Sequence, residues 1–384
     1  MLLIFCGRAV AAKDPPTGDE LQRQIDEQLQ DIIEGLDVSE LQNQLNSMEN
    51  VPGDMSQVKE LIAKLSNGQF KYMGAEILDF LIMSVKKPLG NAAMLFSELL
   101  LLLIISGLLS QLTKAFSTEG SAKVANLVVY AAAAIIVVTA LASSIKSASA
   151  AIASLLNVSQ TVFPVLAMML ATAGGLASTA VLQPAWSIVL ETTSWLTREA
   201  LIPAALYGGV LAIVGNLTEK NILSELGSFI RNGSVWIAGG VMTIFVAITS
   251  IQGSAAVSYD GISFRAAKYA VDSMVPYIGG MFSEMADTFV GCSLLVRNAV
   301  GTVGLILMVI ALIEPVLSAI GVYFAFKLAS ALAGSFDSKQ MSAVMGESAK
   351  VVILLLVIML LSIAMLFFMM TLTINAGNTI LSMR

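Results

Sequence analysis

The sequence predicts an all-α, polytopic membrane protein with an amphipathic helical segment in front of its membrane body. Three observations predict it. Of 384 residues, 57% are apolar and only 12% charged, where a soluble domain carries about 25% charged residues. Behind Pro88 the charges thin into short clusters, separated by apolar runs of the roughly 20 residues that cross a bilayer. The acidity lies ahead of that point: 14 acidic and 6 basic residues stand between Asp14 and Pro88, against 13 of each from Leu89 onward. Three parts follow: a signal-peptide-like segment (1–12), an acidic helical segment expected outside the cytoplasm (13–88), and a polytopic domain (89–384).

Composition also excludes function classes. The chain has no His and two Cys, Cys6 and Cys292, far apart, so an imidazole triad, a His-based zinc site or a Cys-x-x-Cys site cannot be assembled from it. A net charge of −6 offers no basic surplus for a phosphate backbone, and no nucleic-acid partner is expected. No Gly pattern follows a strand, so no phosphate-binding loop is expected; with no paired acid, His-metal cluster or nucleophile-base constellation in the sequence, no cofactor or catalytic residue is expected and the chain reads as non-enzymatic.

The opening MLLIFCGRAVAA joins a short apolar run to Ala9-Val10-Ala11, the small-x-small pattern before an export cleavage site, without a basic leader. In the acidic segment Leu21, Ile25, Leu29, Ile32, Ile33 and Leu36 recur at helical spacing. A second stripe, Leu41, Leu45 and Met48, is opened by Ser39 with Gln42 three residues on, the spacing of a capping box. Pro52-Gly53-Asp54 breaks the chain before further helices.

In the body, spans are expected at 89–112, 124–145, 161–182, 200–217, 233–252, 299–325 and 350–372, with 276–296 as a possible eighth. The uncharged stretch 147–190 is long enough for a short hairpin before the 161–182 span. Pro88, Pro203 and Pro315 recur at intervals of 115 and 112 residues, and Gly120, Gly233 and Gly346 at 113. This spacing suggests units at 88–200, 201–313 and a truncated 314–384, a construction that transport proteins reuse. Four Gly-Gly doublets, beginning at Gly174, Gly208, Gly239 and Gly279, read as close helix contacts or local breaks rather than ligand cradles.

Charges within apolar runs are the candidate site residues, because an ionised carboxylate at mid-bilayer costs about 2.5–3.5 kcal/mol and therefore faces protein or water. Glu314 precedes Pro315 inside the 299–325 span, and Glu98 lies midway along the first span. Glu191 flanks a stretch from Trp186 to Trp195 that reads as interfacial.

The most polar part of the body is 260–301. Asp260, Gly261, Arg265, Lys268, Pro276, Ile278, Gly279, Met281, Phe282, Ser283, Asp287, Thr288, Leu295, Arg297, Asn298 and Gly301 form a block that resembles the stage III sporulation protein AE family of endospore-forming Firmicutes. The order of parts is similar as well. The resemblance implies a subunit of the channel, or feeding-tube, apparatus joining mother cell and forespore, located in the outer forespore membrane on the mother-cell side. It further implies, as partners, other membrane proteins of the same sporulation complex and a secretion-type ATPase. From the residues alone, a stand-alone secondary transporter working through Glu98 and Glu314 is the other reading.

Overall fold

The computed structural model describes residues 18–48, 57–68, 73–116, 119–217, 221–274, 279–335 and 338–382. The signal-like segment 1–12 and Pro276 lie outside the described residues. Apolar chain in lipid has no water to meet its backbone, so each segment satisfies its own N–H and C=O groups as helix. No strand occurs among the described residues.

Three short helices form the acidic arm: α1 (Gly18–Gly35), α2 (Ser39–Ser47) and α3 (Val58–Ser66). The predicted stripes are its inner face, with Leu29, Ile33, Leu36, Leu41 and Leu45 buried. The capping box does not form. Ser39 instead donates its hydroxyl and its backbone N–H to Asp37 Oδ1 at 2.6 and 3.1 Å, while Gln42 Oε1 accepts the N–H of Val58 at 2.8 Å and so ties α2 to α3. The Ser39 hydroxyl, then its N–H, hold the Asp37 carboxyl below the usual carboxylate range.

The body consists of α4 (Met73–Phe116), α5 (Glu119–Thr172), α6 (Leu176–Trp195), α7 (Ile202–Leu217), α8 (Asn221–Met274), α9 (Gly279–Ser335) and α10 (Lys339–Ser382). A π-helical turn, Leu196–Leu201, joins α6 to α7 without a break. Helix α9 is the central element, packed against α4, α5 and α10, and the arm lies on the same body: α1 and α3 on α9, α2 on α5. Buried side chains of arm and body form one apolar core. Large apolar groups such as Phe229, Trp236 and Ile251 stand exposed on α8, as expected where the surrounding solvent is lipid.

Six helical segments among the described residues are long and apolar enough to cross a membrane: Ile82–Leu108, Val128–Thr172, Leu176–Asn216, Ile222–Ile251, Thr288–Ser335 and Lys339–Ala376. The expectation of seven or eight spans is corrected at two places. No hairpin interrupts 147–172, where α5 is continuous, and the proposed 161–182 span is cut by a turn at 173–175 in which Gly174 has φ 94°, a conformation glycine adopts without a Cβ clash. Residues 288–296 belong to α9 and form no span of their own. The longest apolar segment, 48 residues, would extend about 72 Å at 1.5 Å per residue, more than twice the roughly 30 Å of bilayer hydrocarbon. Part of α9 therefore lies beyond the membrane, and the arm covers α9 near Cys292, whose Sγ lies 3.6 Å from Gln28 Oε1 on α1.

Candidate functional site: a polar furrow along α4, α5 and α9

Proline organises the site. Pro88 in α4 and Pro315 in α9 are both carried inside continuous helix. Each lacks an N–H, so the carbonyls four residues earlier, those of Ser84 and Ala311, lose their helical donor. Both residues line the same cavity, one of about 730 Å³ between α4, α5 and α9. It runs along α4 from Phe80 to Glu98 and along α5 from Ser154 back to Ile135, with Ser47 of α2 and Met48 just after it also lining it. Those eighteen residues of α4 correspond to about 27 Å of helix; the part from Ile82 to Glu98 belongs to the membrane-crossing segment, which runs on to Leu108.

The lining is hydroxyl-rich, with Ser84, Thr139, Ser143, Ser144, Ser147, Ser154 and Ser318 joined by Asn91 and by both predicted carboxylates, Glu98 and Glu314. Thr139 and Ser144 donate back to the carbonyls of Ile135 and Ala140, each at 2.8 Å. Their protons are thereby satisfied on α5, while oxygen lone pairs remain available to the furrow. Glu314 Oε1 lies 3.1 Å from Lys87 Nζ, the side chains being 35% and 57% exposed. Glu98 is exposed and has no ion pair among the described residues. Two carboxylates more than 200 residues apart in sequence thus share one furrow, which can hold water or a small polar solute within an apolar bundle.

Two other charge arrangements stand outside the furrow. Arg231 on α8 meets Glu347 on α10 at 2.6 Å, and Lys350 meets the other Glu347 oxygen at 2.6 Å. Arg231 and Glu347 are only 9% and 14% exposed. Sequence reasoning missed this pair and Lys87; the available signals were the i,i+3 spacing of Glu347 and Lys350 and the shared Xaa-Pro setting of Lys87 and Glu314. Arg297 on α9 is 0% exposed, and among the described residues none of its three guanidinium nitrogens has a hydrogen-bond partner. Beside it, Asn298 Nδ2 donates to Asn378 Oδ1 of α10 at 2.8 Å.

Of the remaining block residues, Asp260, Arg265 and Lys268 belong to α8, and Gly279 and Asp287 to α9; their side chains lie outside the described residues. Glu191 is exposed on α6, in a separate cavity of about 530 Å³ that also contains Arg198 and Glu199. The interfacial reading of Trp186 is corrected. Trp186 is fully buried, stacks on Phe163 with centroids 4.7 Å apart, and donates its indole N–H to Thr373 Oγ1 at 2.9 Å.

These features define a polytopic helical membrane protein with a polar furrow cut into its apolar body. Residues 56–377 match the family described as stage III sporulation protein AE. The chain belongs to that family and is thereby a sporulation-associated membrane protein. It is 28% identical over 290 residues to stage III sporulation protein AE of Bacillus subtilis (strain 168), covering 76% of this chain and 73% of that relative. No solved structure matches.

Proposed function

We propose that the protein is a non-enzymatic membrane subunit of a multiprotein, secretion-like channel linking mother cell and forespore during endospore formation, residing in the outer forespore membrane. The furrow is the observation that carries this reading. It brings hydroxyls and two carboxylates into the membrane-crossing part of α4 as far as Glu98, between α4, α5 and α9 with α2 at its edge, so in lipid it needs water or a polar neighbour to satisfy it. A subunit that contributes one wall of an aqueous passage meets that need, and family membership supplies the sporulation setting. In this reading other membrane proteins of the complex close the passage and a secretion-type ATPase drives it.

A second reading is favoured by the two carboxylates in one furrow: a self-sufficient transporter in which Glu314 exchanges between Lys87 and a carried cation. Purification from sporulating cells, followed by reconstitution of the chain alone and with its co-purifying partners, separates the two. The subunit reading expects stable co-purification and solute flux only from the assembled complex. Ion-coupled uptake by the chain alone would overturn it.

A further inference from the structure

The α4–α9 seam separates the polar furrow from a second groove of opposite character. This groove, of about 450 Å³, is lined entirely by apolar residues, among them Leu89, Ala92, Ala93 and Phe96 of α4 and Gly321 and Phe324 of α9. Its floor is set by close contact, since a Cβ on Gly321 would stand 2.7 Å from Ala92 Cβ. Its lips are open, with Leu89 63% and Phe324 56% exposed. From Val85 to Phe96 it extends eleven residues along α4, about 16 Å, the reach of one acyl chain within one leaflet.

The two adjacent lysines of α4 serve different grooves. Lys87 shares a helix face with Asn91 and Glu98 and is tied to Glu314. Lys86 is three and seven residues before Leu89 and Ala93 and so stands on the ridge that forms the lip of the apolar groove. It is exposed and has no ion pair among the described residues, four residues into the first membrane-crossing segment. A lysine at that depth extends its ammonium toward the headgroup layer.

We infer that this groove seats one acyl chain of an anionic phospholipid whose phosphate is held by Lys86. Charge complementarity selects that occupant. A helix of a second copy or of a partner would fill the apolar volume but would leave the Lys86 ammonium at its rim without a counter-charge. A zwitterionic lipid would bring its own cation to the same place. Lys327, on the outward ridge of α9 with Phe324, stands at the opposite end of the groove and serves as an internal control.

The test is native mass spectrometry of the delipidated full-length protein in detergent, titrated with phosphatidylglycerol and with phosphatidylcholine. Phosphatidylglycerol is expected to be retained preferentially. Lys86→Gln should weaken its retention about fivefold, the share of one lysine near a headgroup, while Lys86→Arg and Lys327→Gln leave it unchanged. Ala93→Phe, which fills the groove from its exposed lip, should remove binding without lowering the melting temperature. Equal retention of the two lipids, wild-type retention in Lys86→Gln, or a dimer that persists after delipidation and is dissociated by Ala93→Phe would overturn the assignment.

Discussion

Lys87 Nζ lies 3.1 Å from Glu314 Oε1, joining α4 to α9 at the residues that immediately precede Pro88 and Pro315. The pair marks the level at which both helices lose a backbone hydrogen bond beside the furrow. It is half-exposed, so its contribution to stability is of the order of 0–1 kcal/mol, and its value lies in positioning charge. Glu314→Gln is expected to shift stability by no more than about 1 kcal/mol, to leave membrane insertion intact, and to impair sporulation. The exchange Lys87→Glu with Glu314→Lys should restore part of the sporulation lost in either single variant. Wild-type spore counts in Glu314→Gln would return the carboxylate to an idle role.

The glycines divide by what surrounds them. A Cβ on Gly227 would stand 2.5 Å from the Gly208 carbonyl oxygen and 2.7 Å from the Ala212 nitrogen, both backbone atoms, whereas Gly239 has nothing within 4 Å. Gly227→Ala should therefore cost about 1–3 kcal/mol by forcing α7 and α8 apart. Gly239→Ala should be neutral or stabilising by up to about 1 kcal/mol through helix propensity. Reversible denaturation of the two variants in mixed micelles checks the contrast.

The Arg231–Glu347 contact braces α8 against α10 with little exposure. Removing one partner leaves the other as a buried charge, and Glu347→Ala is expected to cost about 3 kcal/mol. The double variant Arg231→Met with Glu347→Met should recover most of that loss, because the desolvation of both charges disappears with them. A double variant no more stable than Glu347→Ala in the same denaturation assay would contradict this.

Arg297 carries a charge that cannot be shed, at a position with no solvent and with no acceptor among the described residues. Arg297→Met keeps the length of the side chain and removes the cost of burying the guanidinium. Its stability should equal or exceed the wild type, by about 1 kcal/mol or more. A loss of more than about 1 kcal/mol would mean that an acceptor reaches the guanidinium when the protein is in lipid.

Glu98 and Glu314 were legible because a charge inside a Leu/Ile run stands out against its neighbours. Their shared furrow was not, because it depends on α4 packing beside α9, and hydropathy carries no information on which spans are neighbours. Lys87 falls at the end of the 13–88 segment, where one more charge does not stand out. Trp186 looked interfacial from its side-chain type, but its N–H is satisfied by Thr373, 187 residues away. Ser39 and Gln42 had capping-box spacing, yet Asp37 and Val58 offered them better partners once α3 folded back. The helices are longer than expected because Pro and isolated charges do not end a helix that neighbouring helices support, and the turn at Gly174 was hidden in a stretch with no charge to mark it.

The reading of the furrow as the wall of an aqueous passage is tested most directly by thiol accessibility in the complex purified from sporulating cells. Cysteines would be placed singly at Ser143 and Ser318 in the furrow and at Ala93 and Phe324 in the apolar groove, with Cys6 and Cys292 replaced by Ser. The account predicts rapid modification of the first two by a membrane-impermeant maleimide and none of the last two. If Ser143→Cys and Ser318→Cys react no faster than Phe324→Cys, the furrow is dry and the passage lies elsewhere.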